Sequence, residues 1–249
     1  MMRRRYLVIP VALALVGCAG QRLDLSQSAS QEAVYLAAME AYRRGKCEAA
    51  VQGFERLAGD APGGESRRVE AQYYTAECSL AGGRQVEAAR EFRRVVEAFP
   101  QHALAPDALL RAGDSYAQLW RKPELDPTFA ETARATYQEL LQRFPGSAAA
   151  RRAQVRIGQL NEMFAEKEYR SGVFYQRMKA YDSAIIYFRE VVARYPQSRH
   201  APRAVIRLAE VYSRLQYDEE RAEMCQYLQR FYPGDMAGAK PCAVGQPAP

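Results

Sequence analysis

The side chains best suited to chemistry in this 249-residue chain are five cysteines and two histidines. Their spacing speaks against most of it. Cys18, Cys47, Cys78, Cys225 and Cys242 contain no Cys-x-x-Cys pair, and His102 and His200 stand apart from them. The ligand spacing of a metal site is therefore missing. No glycine-rich phosphate loop and no nucleophile elbow occurs either. We expect no enzyme, no metal and no soluble cofactor. Cys18 is set apart by what precedes it. Arg3, Arg4 and Arg5 open the chain with positive charge, and Leu7 to Val16 is a short apolar run broken by Pro10. The run is too short for a membrane-spanning helix, which needs roughly 20 apolar residues. It suits the core of an export signal.

The run closes on Leu15-Val16-Gly17-Cys18. A small residue before a cysteine at that place resembles the bacterial lipobox, whose Cys is acylated before the leader is removed. The resemblance implies a signal peptide over 1–17, a lipid on Cys18 and a polar tether over 18–30. Several acyl chains on one Cys anchor stably, since each buried methylene contributes ~0.8 kcal/mol. Ala19 follows, with no Asp to hold a lipoprotein at the inner membrane. By likeness to other lipoproteins this favours export to the outer membrane. Without the three leader arginines the formal charge of +6 falls to about +3. Acidic and basic residues are interspersed, so no nucleic-acid face is expected.

The elements that must carry any site show a repeat. Ala, an aromatic four residues on, and an aromatic-Pro eight beyond recur as Ala88, Phe92, Phe99-Pro100, as Ala133, Tyr137, Phe144-Pro145, and as Ala184, Phe188, Tyr195-Pro196. Ala50, Phe54 and Pro62 form an earlier copy, and Tyr232-Pro233 ends a degraded fifth. The alanines step by 38, 45 and 51 residues. Residues four apart share a helix face. The small Ala admits a neighbouring helix, the aromatic fills the space beside it, and Pro ends the helix. A first helix precedes each copy: Glu32 to Arg44, Arg68 to Ala81, Asp107 to Leu119 and Arg203 to Leu215. Pro106 and Pro202 open two of them, as suits a first helical turn. Ala112-Gly113 with Tyr116, and Gly172 with Tyr175, place small residues where a second helix must approach. From Ala148 to Arg177 no Pro interrupts, and we expect one helix of about 30 residues, ~45 Å long.

This layout resembles the tetratricopeptide repeat, a helical hairpin of about 34 residues. The expected fold is all-α, a tetratricopeptide-like helical-hairpin solenoid of five repeats with a long helix between repeats three and four. Repeats one to three occupy 31–147, the long helix and repeats four and five occupy 148–233, and 234–249 is a disordered tail. The lipobox, the repeats and the long helix together resemble the BamD family, lipoproteins of the outer-membrane β-barrel assembly machine. The residues that carry the likeness run from Leu125-Asp126-Pro127 to Arg143-Phe144-Pro145. They continue through Phe164-Ala165-Glu166-Lys167-Glu168-Tyr169, Phe174-Tyr175-Gln176-Arg177 and Lys179-Ala180-Tyr181. The resemblance implies a periplasmic scaffold, lipid-anchored to the outer membrane. Its implied partners are the barrel-forming subunit, other assembly-machine lipoproteins and nascent outer-membrane proteins. Tyr187 aligns with a position where family members can carry an Arg facing the barrel subunit, and Arg189 lies nearby; both are docking candidates. The alternative is another periplasmic tetratricopeptide adaptor lipoprotein, of pilus assembly or the Tol-Pal system. The unequal steps and the long helix weigh against it.

First helices line the inner wall of such an array. Tyr35, Met39 and Tyr42, then Tyr73, Glu77 and Leu80, then Leu110 and Asp114 are the candidate groove residues. Aromatics and a Met grip apolar or aromatic-ended segments well. Trp120 is expected to cap the third hairpin, and the two histidines to lie on the surface. Cys47 begins a second helix and Cys78 lies near the end of the neighbouring first helix, so the two are expected to pair. Cys225 with Cys242 is the less favoured pairing, because Cys242 falls in the tail.

Overall fold

The computed structural model describes residues 30–57 and 64–242. Cys18, the leader, Pro62 and the last seven residues lie outside them. Ten α-helices follow one another among the described residues. They pair as α1 (Gln31–Arg43) with α2 (Cys47–Leu57), α3 (Gly64–Ala81) with α4 (Gln85–Ala98), and α5 (Ala105–Ala117) with α6 (Thr128–Arg143). Then come α7 (Ala148–Arg177) with α8 (Tyr181–Arg194) and α9 (Ala201–Leu215) with α10 (Asp218–Phe231). Each second helix packs on its own first helix, and α2, α4, α6 and α8 also pack on the first helix of the next repeat. This is the helical-hairpin solenoid.

The repeated alanines do what their size requires. Ala50, Ala88, Ala133 and Ala184 are all 0% exposed, wedged between helices beside the buried rings of Phe54, Phe92, Tyr137 and Phe188. The glycines mark still closer approaches. A methyl group on Gly113 would stand 2.4 Å from the Tyr137 ring, and one on Gly172 would stand 2.6 Å from the Phe188 ring. Gly53 meets the Ala38 methyl in the same way.

The aromatic-Pro ends also share one geometry. Phe99, Phe144, Tyr195 and Tyr232 cap their helices with φ of −135°, −131°, −131° and −137°. Each backbone N–H still donates to the carbonyl four residues back. The following Pro pushes its predecessor out of the helical region, and the chain leaves the hairpin there. The turn inside a repeat needs a left-handed residue. Gly45 and Gly83 supply it in repeats one and two, and Lys179 and Gln216, both at φ 60°, in repeats four and five.

The third repeat departs from this pattern. Its inner turn is the longer segment from Gln118 to Pro127, which is clasped onto α7. The Trp120 indole is buried, lies 4.7 Å from the Phe164 ring and donates to the Leu125 carbonyl at 3.2 Å. Lys167 reaches the carbonyls of Pro123 and Leu125, and Arg170 pairs with Glu124. α7 is the longest element, with 30 residues. Ser147 caps its start by accepting from the Ala150 amide at 3.0 Å. Its front half packs against α5 and α6, and its back half serves as the first helix of repeat four.

Two expectations are corrected here. The segment after Pro233 is not a loose tail as far as it is described. It forms two 3-10 turns, Pro233–Gly238 and Lys240–Cys242, which seat Ala239 against Val205 and Leu228. A disulfide from Cys225 to Cys242, with Cα atoms 5.4 Å apart, fastens it to α10. The tail carries too few apolar residues to signal this in sequence; the covalent link and one buried alanine hold it. His200 is the second correction. It is 6% exposed, packed 5.5 Å from the Tyr169 ring at the start of α9. The α8–α9 turn presses it onto α7.

Candidate functional site

The first helices lie along one wall, and their side chains link each repeat to the next. Arg67 of α3 forms a forked pair with Glu32 of α1 at 3.0 and 3.1 Å. Its guanidinium sits 3.8 Å over the Tyr35 ring. Burial, helped by Glu70, pushes the Tyr35 hydroxyl up to about 12. The Tyr42 ring lies 4.9 Å from Tyr74, which in turn meets Phe54 and Tyr73. Tyr73 packs edge-on against Phe92, and its hydroxyl is raised by burial and by Glu77. This end of the wall is a half-buried tyrosine surface.

Further along, the wall becomes a polar ladder. Arg111 of α5 grips Glu77 of α3 with two bonds of 2.5 Å. This bidentate fork holds the guanidinium charged, with its titration pushed up. Asp114 accepts from the Tyr137 hydroxyl at 2.8 Å and from Arg156 of α7 at 3.1 Å, and Arg111 approaches it at 3.7 Å. Burial and the Asp114 carboxylate raise the Tyr137 hydroxyl well above its ordinary value. A 310 Å³ cleft opens here, lined by Arg111, Asp114, Tyr137, Arg156, Gln159 and Met163 among others.

The structure therefore divides the groove candidates. Tyr35, Tyr42, Tyr73 and Glu77 are half-buried on the wall. Asp114 is 9% exposed and is held by its own neighbours. Met39, Leu80 and Leu110 are corrected: at 8%, 7% and 3% exposed they belong to the cores. A first helix touches both its own partner and the flanking repeat, so two of its faces are covered and little remains to line a groove.

Tyr74, Arg67, Arg111 and Arg156 were missed. One signal for the arginines existed: each stands 35, 34 or 42 residues after the acid it pairs with, about one repeat. Tyr74 carried none, because adjacent tyrosines on a helix leave open which one faces the wall.

The docking candidates do not form one patch. Tyr187 stacks on Tyr175 of α7 at 5.2 Å with planes 7° apart, while Arg189 is exposed and leans toward Tyr212 of α9 at 5.9 Å. Tyr187, Tyr175, Phe174, Pro123, Lys167 and Arg170 border a separate cleft of 340 Å³. Cys47 and Cys78 are joined, with Cα atoms 5.2 Å apart. Among the described residues no cluster of His, Cys, Asp and Glu could hold a metal ion, and no helix is long and apolar enough to cross a membrane.

A helical-hairpin array whose first helices present a mixed aromatic and polar wall is a tetratricopeptide-type scaffold. A family model described as YfiO, outer membrane lipoprotein, matches residues 27–227, and the chain belongs to that family. It is 27% identical over 229 residues to the outer membrane protein assembly factor BamD of Caulobacter vibrioides, spanning 90% of this chain and 74% of that protein. It is 28% identical over 119 residues to BamD of Rickettsia prowazekii, spanning 48% of this chain and 47% of that protein. Among solved structures, the TPR2AB domain of yeast Sti1 in a complex with pHSP90 aligns with a TM-score of 0.45. That alignment has 14% identity and covers 84% of this chain and 83% of that one.

Proposed function

We propose that this chain is an assembly factor for outer-membrane β-barrel proteins, anchored by a lipid on Cys18 to the periplasmic face of the outer membrane. The observation that carries the reading is the family match over residues 27–227, joined to likeness with BamD along 90% of the chain. The wall of α1, α3 and α5 receives segments of nascent outer-membrane proteins. Its tyrosine end offers large rigid contact area at modest entropy cost, which suits a strand ending in an aromatic residue. Its polar ladder offers donors and acceptors to an extended backbone. The back half, from α7 to α10, docks the barrel-forming subunit and other lipoproteins of the assembly machine. The work is positioning of polypeptides, without bond chemistry.

Affinity purification of the tagged chain from envelope extracts tests this. The barrel-forming subunit is the expected co-purifying protein. Recovery of a pilus secretin or of Tol proteins in its place would overturn the assignment. Cys18→Ser should block acylation and with it removal of the leader, so the chain should appear as the unprocessed precursor and be lost from the outer-membrane fraction.

A further inference from the structure

Among the described residues the buried apolar side chains fall into one large cluster and two small ones toward the ends. The large cluster runs without a break from Val69 of α3 to Tyr212 of α9. The cluster of the first hairpin holds ten buried residues, and five of them are alanines: Ala38, Ala41, Ala49, Ala50 and Ala71. The last cluster consists of Val205, Leu228 and Ala239. The first small cluster contains the Cys47–Cys78 disulfide, and the last is reached by Cys242 of the Cys225–Cys242 disulfide. Cys47–Cys78 spans a sequence separation of 31 and Cys225–Cys242 one of 17. In a linear array an interior repeat is held from both sides and an end repeat from one, so the ends open first.

The first hairpin stands wholly outside the large cluster, whereas α9 joins it through Ala201, Ala204, Leu208, Val211 and Tyr212. Alanines bury little area, and the Glu32–Arg67 ion pair to the next repeat has its Glu32 side chain 58% exposed. Such a pair adds little. Cys47 is the first residue of α2, beside the α1–α2 turn, and Cys78 lies on α3. The bond therefore fastens that turn to α3. Tyr35 and Tyr42 belong to α1, whereas Arg67, Glu70 and Tyr74 belong to α3, so the tyrosine end of the wall exists only while the hairpin is docked.

We propose that the Cys47–Cys78 bond is a redox clasp that decides whether the α1–α2 hairpin stays docked and the tyrosine end of the wall is formed. Opening it takes two electrons and two protons from a dithiol reductant, which leaves as a disulfide; Cys47 and Cys78 become thiols. Cys47 is half-buried and Cys78 is 1% exposed, so a reductant meets the Cys47 sulfur. The large cluster from α3 to α9 does not depend on this bond and stays folded. The consequence for binding rests on the reading of the wall given above; the clasp itself does not.

Hydrogen exchange read by mass spectrometry on the full chain tests it. The samples are the oxidised protein, the same protein in a phosphine reductant, a C47S/C78S variant and a C225S/C242S variant. Amides of α1 and α2 should exchange on the order of 100-fold faster in the reduced protein and in C47S/C78S. Those of α5 to α8 should be unchanged, and C225S/C242S should leave α1 and α2 as protected as in the oxidised chain. Equal protection of α1 and α2 with and without the bond overturns the proposal. So does loosening of the whole array together. The measurement uses no bound partner, so its outcome is separate from whether the wall holds polypeptide. A synthetic peptide ending in phenylalanine is the probe for that. Its failure to bind the oxidised chain would count against the wall as a receptor and leave the clasp standing.

Discussion

Gly113 has no room for a methyl group, because the Tyr137 ring lies against it and cannot retreat. That ring is 0% exposed, and its hydroxyl is held by Asp114 at 2.8 Å. Gly113→Ala should therefore destabilise the chain by about 1–3 kcal/mol through overpacking, despite the higher helix propensity of alanine. Urea unfolding would measure it, and an unchanged midpoint would show that α5 and α6 separate more easily than their contact suggests. Gly158, on the exposed face of α7 with open space where a methyl group would stand, is the control. There the same substitution should raise stability slightly. The small-small-aromatic spacing was readable in sequence. Asp114 was read only as a wall residue; the one-repeat spacing to Arg156 was a signal left unused, and the bond from Tyr137 depends on how α6 is rotated against α5.

At the scale of elements, two terminations recur among the described residues: an aromatic-Pro end in repeats two to five and a left-handed turn in repeats one, two, four and five. The first was legible as a motif. The second was legible at Gly45 and Gly83 but not at Lys179 and Gln216, where ordinary residues take the same backbone shape. Left-handed geometry costs a residue with a Cβ about 1–2 kcal/mol, a cost glycine escapes at the expense of greater unfolded-state entropy. Lys179→Gly and Gln216→Gly should each stabilise the protein by about 0.5–1 kcal/mol. Thermal melts of the two variants would check this, and a loss of stability would mean that the long side chains contribute contacts exceeding the relief. The long helix α7 matched its expected bounds, Ala148 to Arg177. An unbroken run without Pro, opened by a capping serine after Pro145-Gly146, leaves few alternatives.

The molecule as a whole is held at its middle by α7, and one titratable group sits where the back repeats meet it. Burial, and then Arg199, lower the His200 imidazole from its ordinary value; Glu166 and Glu162 oppose the shift and Arg203 adds to it. Its Nδ1 has no hydrogen-bond partner. A histidine kept neutral in the fold is protonated first in the unfolded chain. Stability should therefore fall as pH drops through the ordinary histidine range near ~6.5 and stop falling once the folded form also takes up the proton. Glu91 and Glu168, both raised by burial, act in the opposite direction, so the comparison with a variant isolates the histidine. Between about pH 7.5 and 5.5, the urea midpoint of the wild type should drop more than that of His200→Gln. Parallel profiles would show that His200 is not the group responsible.

Sequence alone determined the class of this protein: paired helices, their number, the long seventh helix and the alanines that let them nest. Those features are local, set by residues four apart on one helix face and by prolines that stop helices wherever they occur. Only the tertiary structure decided which side chains line the wall, that Met39, Leu80 and Leu110 are core, that His200 is buried, and that the end of the chain is fastened to α10. Each of these depends on what a neighbouring repeat covers. Covering is a matter of how successive hairpins are rotated against one another, a quantity that no spacing within a single helix records.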